Sequence, residues 1–163
     1  MKKLLTIILA ATLLLSCVGL CSCTQTTDSN VTAVSKFKGN TDITIYSDSA
    51  LIQKHSGKCE VGKTYYVLIK TEVTQSAGVL VSEVGSTTLS IEFPSSNAIV
   101  VSQVRGDTMT SSPNGDSLVY TCKAYKDNTY SAVFKFVSTE SEAFDIKVAV
   151  DQSISETKVI DFE

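Results

Sequence analysis

The chain has 163 residues and a formal net charge of −3, from 14 Lys and Arg against 17 Asp and Glu. It contains no block of basic residues, which argues against a nucleic-acid partner because binding to a phosphate backbone needs clustered Lys and Arg. Two Pro and no Trp, with abundant Val, Ile, Thr, Ser and Tyr, are typical of strands and turns rather than helices.

The first 22 residues have the organisation of an export signal. Lys2 and Lys3 form a positive start, and an uncharged apolar run, Leu4–Leu15, follows them. The end of this segment resembles the signal of bacterial lipoproteins, in which a Leu at −3 and a small residue at −1 precede a Cys that is lipidated and becomes the mature N-terminus. An uncleaved transmembrane anchor is the alternative, because the apolar run to Leu20 approaches the roughly 20 residues that span a bilayer.

Two cysteines fit this lipidation pattern. Cys17 follows Leu-Leu-Ser, and Cys23 follows Leu-Cys-Ser. Cleavage before Cys17 would leave apolar residues in the spacer and two surplus thiols in an oxidising compartment. Cleavage before Cys23 gives a polar spacer and leaves only Cys59 and Cys122, which can pair with each other. We predict lipidation of Cys23, with Cys17 as the alternative.

This assignment divides the chain into three parts. Residues 1–22 are the lipoprotein signal peptide, residues 23–41 are the lipidated cysteine and a flexible polar tether, and residues 42–163 are the folded domain. The processed chain keeps 141 residues, about the length of one domain, and a net charge of about −5. It is expected to be exported and held by its lipid on the extracytoplasmic side of the cell membrane.

Short segments with β-strand patterns follow one another through the rest of the chain, separated by turn residues. Eight or nine strands at this spacing predict a sandwich or a barrel. A loop is predicted at Ser111–Asp116. The predicted strands are Ile43–Tyr46 with a continuation at Ala50–Gln53, Tyr65–Thr74, Gly78–Ser82, Thr87–Phe93, Ala98–Val104, Ser117–Tyr125, Thr129–Val137, Phe144–Val150 and a short Lys158–Phe162.

Two strand starts resemble those of bacterial immunoglobulin-like domains. Val61–Thr64 (VGKT) matches the V-G-x-x that opens the second strand, and Asp127–Tyr130 (DNTY) matches the turn-T-Y that opens the penultimate strand. The resemblance covers residues 42–150. It implies an all-β fold, a single immunoglobulin-like antiparallel β-sandwich of about eight or nine short strands. It also implies that Tyr130 is the tyrosine-corner residue, whose hydroxyl bonds to backbone upstream.

The same alignment bears on the two cysteines of the domain. It places Cys59 just before the second strand and Cys122 late in the fifth, and those strands are antiparallel neighbours in an immunoglobulin sheet. A disulfide between Cys59 and Cys122 is therefore predicted in an exported protein. Two buried free thiols are the alternative, since unpaired cysteines are common in protein cores.

Chemistry-bearing motifs are sparse in this sequence. His55 is the only histidine, and the chain has no His-x-x-His, Cys-x-x-Cys, Gly-x-Ser-x-Gly or phosphate-binding glycine loop. We therefore predict no enzyme, no catalytic residue, no metal site and no cofactor. The alternative is an accessory solute-binding lipoprotein or a small exported hydrolase using paired carboxylates, because acidic residues can meet in space without a sequence signature.

Arg105-Gly106-Asp107 spells an integrin-type tripeptide after a predicted strand. Three-residue matches arise often by chance, so we expect a turn with a flanking charge pair and no integrin binding. The sequence as a whole predicts a non-catalytic binding or structural module, anchored to the membrane by lipid, whose partner is another surface protein or a cell-envelope component.

Overall fold

The computed structural model describes residues 35–78 and 85–163, which form nine β-strands. Within these two ranges there is no helix, and therefore none that could cross a membrane. The strands are β1 (Phe37–Tyr46), β2 (Tyr65–Gln75), β3 (Ser86–Pro94), β4 (Ile99–Gly106), β5 (Thr110–Asn114), β6 (Ser117–Tyr125), β7 (Thr129–Ser138), β8 (Phe144–Val150) and β9 (Ser153–Ile160). The predicted lipidation residues Cys17 and Cys23 and most of the predicted strand Gly78–Ser82 lie outside the described residues.

The strands make two antiparallel sheets. Sheet 1 has the order β1-β2-β7-β4, and sheet 2 has the order β5-β6-β3-β8-β9. With β1 to β4 taken as strands A to D and β7 to β9 as strands E to G, these are the ABED and CFG sheets of an immunoglobulin domain. The β5–β6 hairpin is an insertion between D and E that extends the CFG sheet beyond β3. The predicted immunoglobulin-like β-sandwich is therefore confirmed.

Alternating burial along the inner strands places every second side chain between the two sheets. Along β2 and β8, buried residues alternate with more exposed ones. The alternation follows from the pleat, in which successive Cβ atoms point to opposite faces of the sheet. The core side chains come from both sheets and include Val67, Ile69, Phe134, Phe136, Leu89, Ile91, Phe93, Ile146 and Val148.

Phe134 lies at the centre of this core and joins the two sheets. It projects from β7 in sheet 1 and is 0% exposed. Its ring centroid lies 4.8 Å from that of Tyr120 and 5.0 Å from that of Phe93, both on sheet 2. Tilted and edge-on aromatic pairs at this separation add to the stabilisation from buried area. The packing of the sheets therefore depends strongly on this one ring.

The first strand begins earlier than the sequence predicted. β1 starts at Phe37, inside the segment predicted to be tether (residues 23–41), and pairs with β2 along its whole length. The alternation of apolar and polar residues that predicts a strand is interrupted at Gly39, which has no side chain to contribute to it. A Cβ on Gly39 would lie 2.8 Å from side-chain atoms of Ser155 and Val150, so sheet 2 approaches the backbone closely here. The domain boundary predicted at residues 41 and 42 therefore falls within β1.

The predicted loop Ser111–Asp116 is wrong for most of its length, because β5 pairs with β6 as the outer strand of sheet 2. All five side chains of β5 are exposed, so the sequence has no alternation of apolar and polar residues to detect. Pro113 lies within it, and an edge strand tolerates proline since one side of the strand needs no partner. Gly115, with φ +59°, forms the turn to β6.

Candidate functional site

A cleft of about 410 Å³ opens at one end of the sandwich, where β3 and β7 end and β4, β6 and β8 begin. Its walls carry five carboxylates and one lysine ammonium. We name these residues the acidic cleft: Glu92, Asp116, Glu140, Glu142, Asp145 and Lys147. The five acids come from several strands and loops, so only the folded domain assembles them.

Glu92 takes part in both a hydrogen bond and an ion pair within the acidic cleft. Its Oε1 accepts a hydrogen bond from the hydroxyl of Ser117 at 2.7 Å and lies 3.9 Å from Nζ of Lys147. The other four carboxylates of the acidic cleft are exposed. In the part of the chain that the structure describes, no group of three or more His, Cys, Asp or Glu is placed to hold a metal ion. The acidic cleft thus presents hydrogen-bond acceptors to a ligand that carries donors.

A second cleft, of about 550 Å³, lies between β1 and β9, which are edge strands of the two sheets. The segment Lys54–Cys59, named the strap, crosses from one edge to the other. Lys54 forms a bridge with Tyr46 at the end of β1, and Cys59 forms one with Phe162 just beyond β9. The strap therefore connects the sheets at this corner and forms one wall of the cleft.

This second cleft is lined by cationic side chains and is named the lysine cleft. Lys54 and Lys58 come from the strap, and Lys158 comes from β9. All three side chains are exposed, and Asp161 is the one carboxylate residue among those that line the cleft. This cluster could not be predicted from the sequence, because about 100 residues separate Lys58 from Lys158.

His55 holds the strap against the domain instead of standing free in a loop. Its Nε2 lies 3.0 Å from the carbonyl oxygen of Lys58, within hydrogen-bonding distance. Its ring centroid lies 4.7 Å from that of Tyr65. His55 is thus half-buried in a segment between strands, because the strap folds back onto Tyr65, the first residue of β2.

The two cysteines of the domain lie at opposite ends of the sandwich. Cys122 pairs with Leu89, which pairs with Val150 at the last residue of β8. Cys59 forms a bridge with Phe162, two residues after the end of β9. The last residue of β9, Ile160, pairs with Phe144, the first residue of β8. The length of β8, roughly 20 Å, therefore separates them, whereas a disulfide needs Cα atoms within about 7 Å. The predicted disulfide between Cys59 and Cys122 is wrong, and both thiols are free.

The predicted disulfide does not form because the strand that carries Cys122 lies in the other sheet from the one expected. This strand, β6, belongs to the inserted hairpin and pairs with β3 in sheet 2, not with β2 in sheet 1. Burial, together with the nearby Asp161 carboxylate, raises the pKa of the Cys59 thiol to about 11, and burial also raises the pKa of Cys122. Both thiols are therefore protonated at neutral pH and are poor nucleophiles.

Tyrosine hydroxyls fix the starts of the two central strands of sheet 1. The hydroxyl of Tyr130 accepts a hydrogen bond from the N–H of Tyr125 at 2.8 Å, and that of Tyr65 accepts one from the N–H of Glu60 at 3.0 Å. Both bonds reach five residues upstream. The tyrosine-corner role of Tyr130 stays a prediction. Its hydroxyl makes the expected bond to upstream backbone, but the tyrosine-corner residue of immunoglobulin domains lies on strand F, whereas Tyr130 is the second residue of β7, at the E position.

The Arg105-Gly106-Asp107 tripeptide is bonded within the domain. The Arg105 guanidinium donates to the carbonyl oxygen of Ser49, which follows β1 at the opposite edge of sheet 1. The Asp107 carboxylate accepts the N–H of Ser131 at 2.6 Å, and the Asp107 N–H donates to the Ser131 carbonyl at 2.7 Å. These contacts favour the interpretation of the tripeptide as a structural turn at the end of β4.

The loop Ser47–Gln53 is closed by a single carboxylate. Asp48 accepts hydrogen bonds from the N–H groups of Ala50 at 2.9 Å, Ile52 at 3.1 Å and Gln53 at 2.6 Å. The bond from Gln53 contributes most to lowering the pKa of Asp48. The strand continuation predicted for this segment is wrong, because the Asp48 side chain takes the N–H groups that a ladder would use.

Asp151 forms a clamp where the described chain begins. Its Oδ2 accepts hydrogen bonds from the hydroxyl of Ser35 at 2.9 Å and from the N–H of Lys36 at 2.6 Å, and lies 3.3 Å from the N of Phe37. Its Oδ1 accepts the hydroxyl of Thr87 at 3.3 Å. Partial burial raises the pKa of Asp151, but these hydrogen bonds outweigh it and leave the pKa below its ordinary value. The clamp therefore requires the ionised carboxylate.

We predict that Asp151→Asn lowers the free energy of unfolding by about 1 kcal/mol at pH 7, since charge-assisted bonds are lost but solvent screens them. Because the folded-state pKa is lowered, this stabilisation is present above the unfolded value of about 3.8 and is lost as the pH falls through the folded-state value. Urea unfolding of both proteins between pH 7 and pH 2 measures the difference, which should shrink below about pH 4. Asp116→Asn removes an exposed carboxylate and is the control. A difference that stays constant with pH would contradict the prediction.

No family model matches this chain, and no curated protein matches it. Among solved structures, the chain is similar to the major pilin SpaA of Corynebacterium diphtheriae, whose structure is described as pointing to a modular pilus assembly with stabilizing isopeptide bonds. The sequences are 14% identical, the TM-score is 0.38, and the match covers 68% of this chain and 31% of the pilin chain. The chain thus spans about a third of the pilin's length. A likeness this weak carries no functional argument, and the fold assignment rests on the strand topology.

Proposed function

We propose that this chain is a lipid-anchored, surface-exposed bacterial lipoprotein whose immunoglobulin-like domain is a non-catalytic binding or structural module. The leader supports the anchor, because its sequence up to Cys23 resembles a lipoprotein signal and polar residues follow it. The observation that carries the proposal is the Asp151 clamp, which fixes the chain to the sandwich at Ser35–Phe37, directly after that polar segment. A polar spacer followed by a clamped first strand suits a module that meets another surface protein or an envelope component.

Lipid labelling tests the anchor. In cells supplied with an alkyne analogue of palmitate, the full chain should carry the label and Cys23→Ala should lose it, because no thiol then remains at the mature N-terminus. Cys17→Ala should keep the label. Loss of label with Cys17→Ala alone would move the lipidation site to Cys17, and the absence of label from all three proteins would contradict the lipid anchor.

The alternative is an accessory solute-binding lipoprotein or a small exported hydrolase that uses paired carboxylates. The acidic cleft is the observation that favours it, because five carboxylates converge there on one concave surface. In a hydrolase, Glu92 is the acid held by partners, through Ser117 and Lys147. A ligand bound in the acidic cleft of a crystal, or a hydrolytic activity lost in Glu92→Gln, would favour this alternative over the non-catalytic module.

A further inference from the structure

The lysine cleft carries three ammonium groups against one carboxylate, that of Asp161, among its lining residues. Among the described residues, carboxylates lie within 4.0 Å of three lysines, and none of those lysines lines this cleft. The pairs are Lys63–Glu60, Lys126–Asp127 and Lys147–Glu92. Lys54 and Lys58 on the strap and Lys158 on β9 thus line one cleft, and no carboxylate of the described residues lies within 4.0 Å of them. A cation cluster of this kind, exposed and concave, attracts anions from solution.

The cleft is also held in shape before any ligand arrives. The N–H of His55 donates to the carbonyl of Ile45 at 2.9 Å, and the N–H of Cys59 donates to the carbonyl of Asp161 at 2.7 Å. These bonds fix the strap near both of its ends, to β1 of sheet 1 and to the residue that follows β9 of sheet 2. Gly57, with φ +109°, makes the bend between them. A preformed site loses less conformational entropy on binding, which favours affinity.

The positive charge of the lysine cleft contrasts with the negative net charge of the chain. The chain has a net charge of −3, which disfavours anions on average, so a cluster of cations is a part of the surface that attracts them. Lysine ammonium groups bind phosphate as compact point charges, without the planar geometry that arginine imposes. Three of them, two on the strap and one on β9, can contact successive phosphates or several oxygens of one phosphate.

We propose that the lysine cleft binds a phosphate-bearing anion, through Lys54, Lys58 and Lys158. The phosphate belongs to a soluble polyphosphate-like chain or to the headgroup of an anionic lipid, and both present the same oxygens. This inference deepens the proposed role as a binding module. Its failure would leave the lipid label of Cys23 unaffected, so the two proposals fail separately.

The test compares the full chain with the triple variant Lys54→Gln, Lys58→Gln, Lys158→Gln, both solubilised in non-ionic detergent. Linear polyphosphate is titrated into each protein in a calorimeter at several salt concentrations. The triple variant should bind at least about tenfold more weakly, and the slope of log affinity against log salt should fall by about 2, since fewer counterions are released. The three side chains are exposed, so thermal melts followed by circular dichroism should coincide.

The matched control removes the same charge elsewhere. Lys38, Lys70 and Lys135 are exposed lysines of sheet 1 that do not line the lysine cleft. Replacing these three with Gln should change polyphosphate affinity by less than about threefold, because distant exposed charges are screened by salt. An equal loss of affinity in the two triple variants would overturn the proposal.

Further arms identify the source of the phosphate. Binding to polyphosphate alone assigns a soluble polymer, and preferential binding to mixed micelles containing phosphatidylglycerol over phosphatidylcholine assigns a lipid headgroup. Equal affinity for polyglutamate would show a site for any polyanion and would overturn the phosphate assignment. A salt-sensitive dimer of the wild type that the cleft variant loses would overturn it as well, because the acidic cleft of a second copy would then be the occupant.

Discussion

Replacing Gly106 with alanine should lower the free energy of unfolding by about 3–5 kcal/mol, the largest loss expected from any single methyl group in the described chain. Gly106 ends β4 with φ +102°, a conformation that costs energy for any residue with a Cβ. The new Cβ would also overlap the carbonyl oxygen of Ser131 and come within 2.7 Å of the Cα of Ala132. Neither neighbour can withdraw, because both belong to the backbone of β7.

A matched glycine separates these two causes. Gly57 has φ +109°, nearly the same backbone angle, but a Cβ there would meet no atom within 4 Å. Gly57→Ala should therefore cost only the conformational strain, about 1 kcal/mol. Urea unfolding followed by far-ultraviolet circular dichroism measures both variants. Equal losses would show that strain alone, and not contact with β7, explains the need for glycine in the Arg-Gly-Asp sequence.

Phe134→Ala should destabilise the domain by about 3–5 kcal/mol, because it removes a buried ring from the centre of the core and leaves a cavity. The ring contacts Phe93 and Tyr120 on the other sheet, so the substitution also removes two aromatic pairs that join the sheets. With about 4 °C lost per kcal/mol in a domain of this size, the midpoint of thermal unfolding should fall by about 12–20 °C.

Two further substitutions test the cavity argument for Phe134. Phe134→Leu keeps most of the volume and should cost about half as much as Phe134→Ala. Val100→Ala removes methyl groups that are 58% exposed on β4 and should change stability by less than about 0.5 kcal/mol. Calorimetric melting of all three variants orders them. A loss in Phe134→Ala no larger than that in Val100→Ala would contradict a core centred on this ring.

Strands with one buried and one exposed face could be predicted from the sequence. β6 and β8 have the predicted bounds, and β2 and β7 differ from the prediction by one residue. Their alternation reflects burial directly, because a strand side chain faces either the core or solvent. β1 and β5 were mispredicted because they are edge strands, and an edge strand is defined by its one neighbour more than by its own pattern. Gly39 in β1 and Pro113 in β5 also weaken the strand patterns of these segments, because neither residue type is favoured in strands.

Pairing between distant strands could not be predicted in the same way. The insertion of β5 and β6 between the D and E positions moves Cys122 into the other sheet, and no local pattern around that residue reports the move. The lysine cleft has the same origin. Lys54 and Lys58 meet Lys158 only because the strap crosses from β1 to β9. The sequence contained these residues but no information about their juxtaposition.

The register of β8 gives the sandwich two poles with different chemistry. Val150 marks the pole where Asp151 receives the incoming chain at Ser35, and Phe144 marks the other pole, which borders the acidic cleft. Ile160, which lines the lysine cleft, pairs with Phe144. The point of attachment at Ser35 therefore lies roughly 20 Å along the strands from the acidic cleft and from the lysine cleft, which share the other pole. A fusion, dye or surface linkage placed before Ser35 is therefore attached at one pole and leaves the two clefts at the other pole unobstructed.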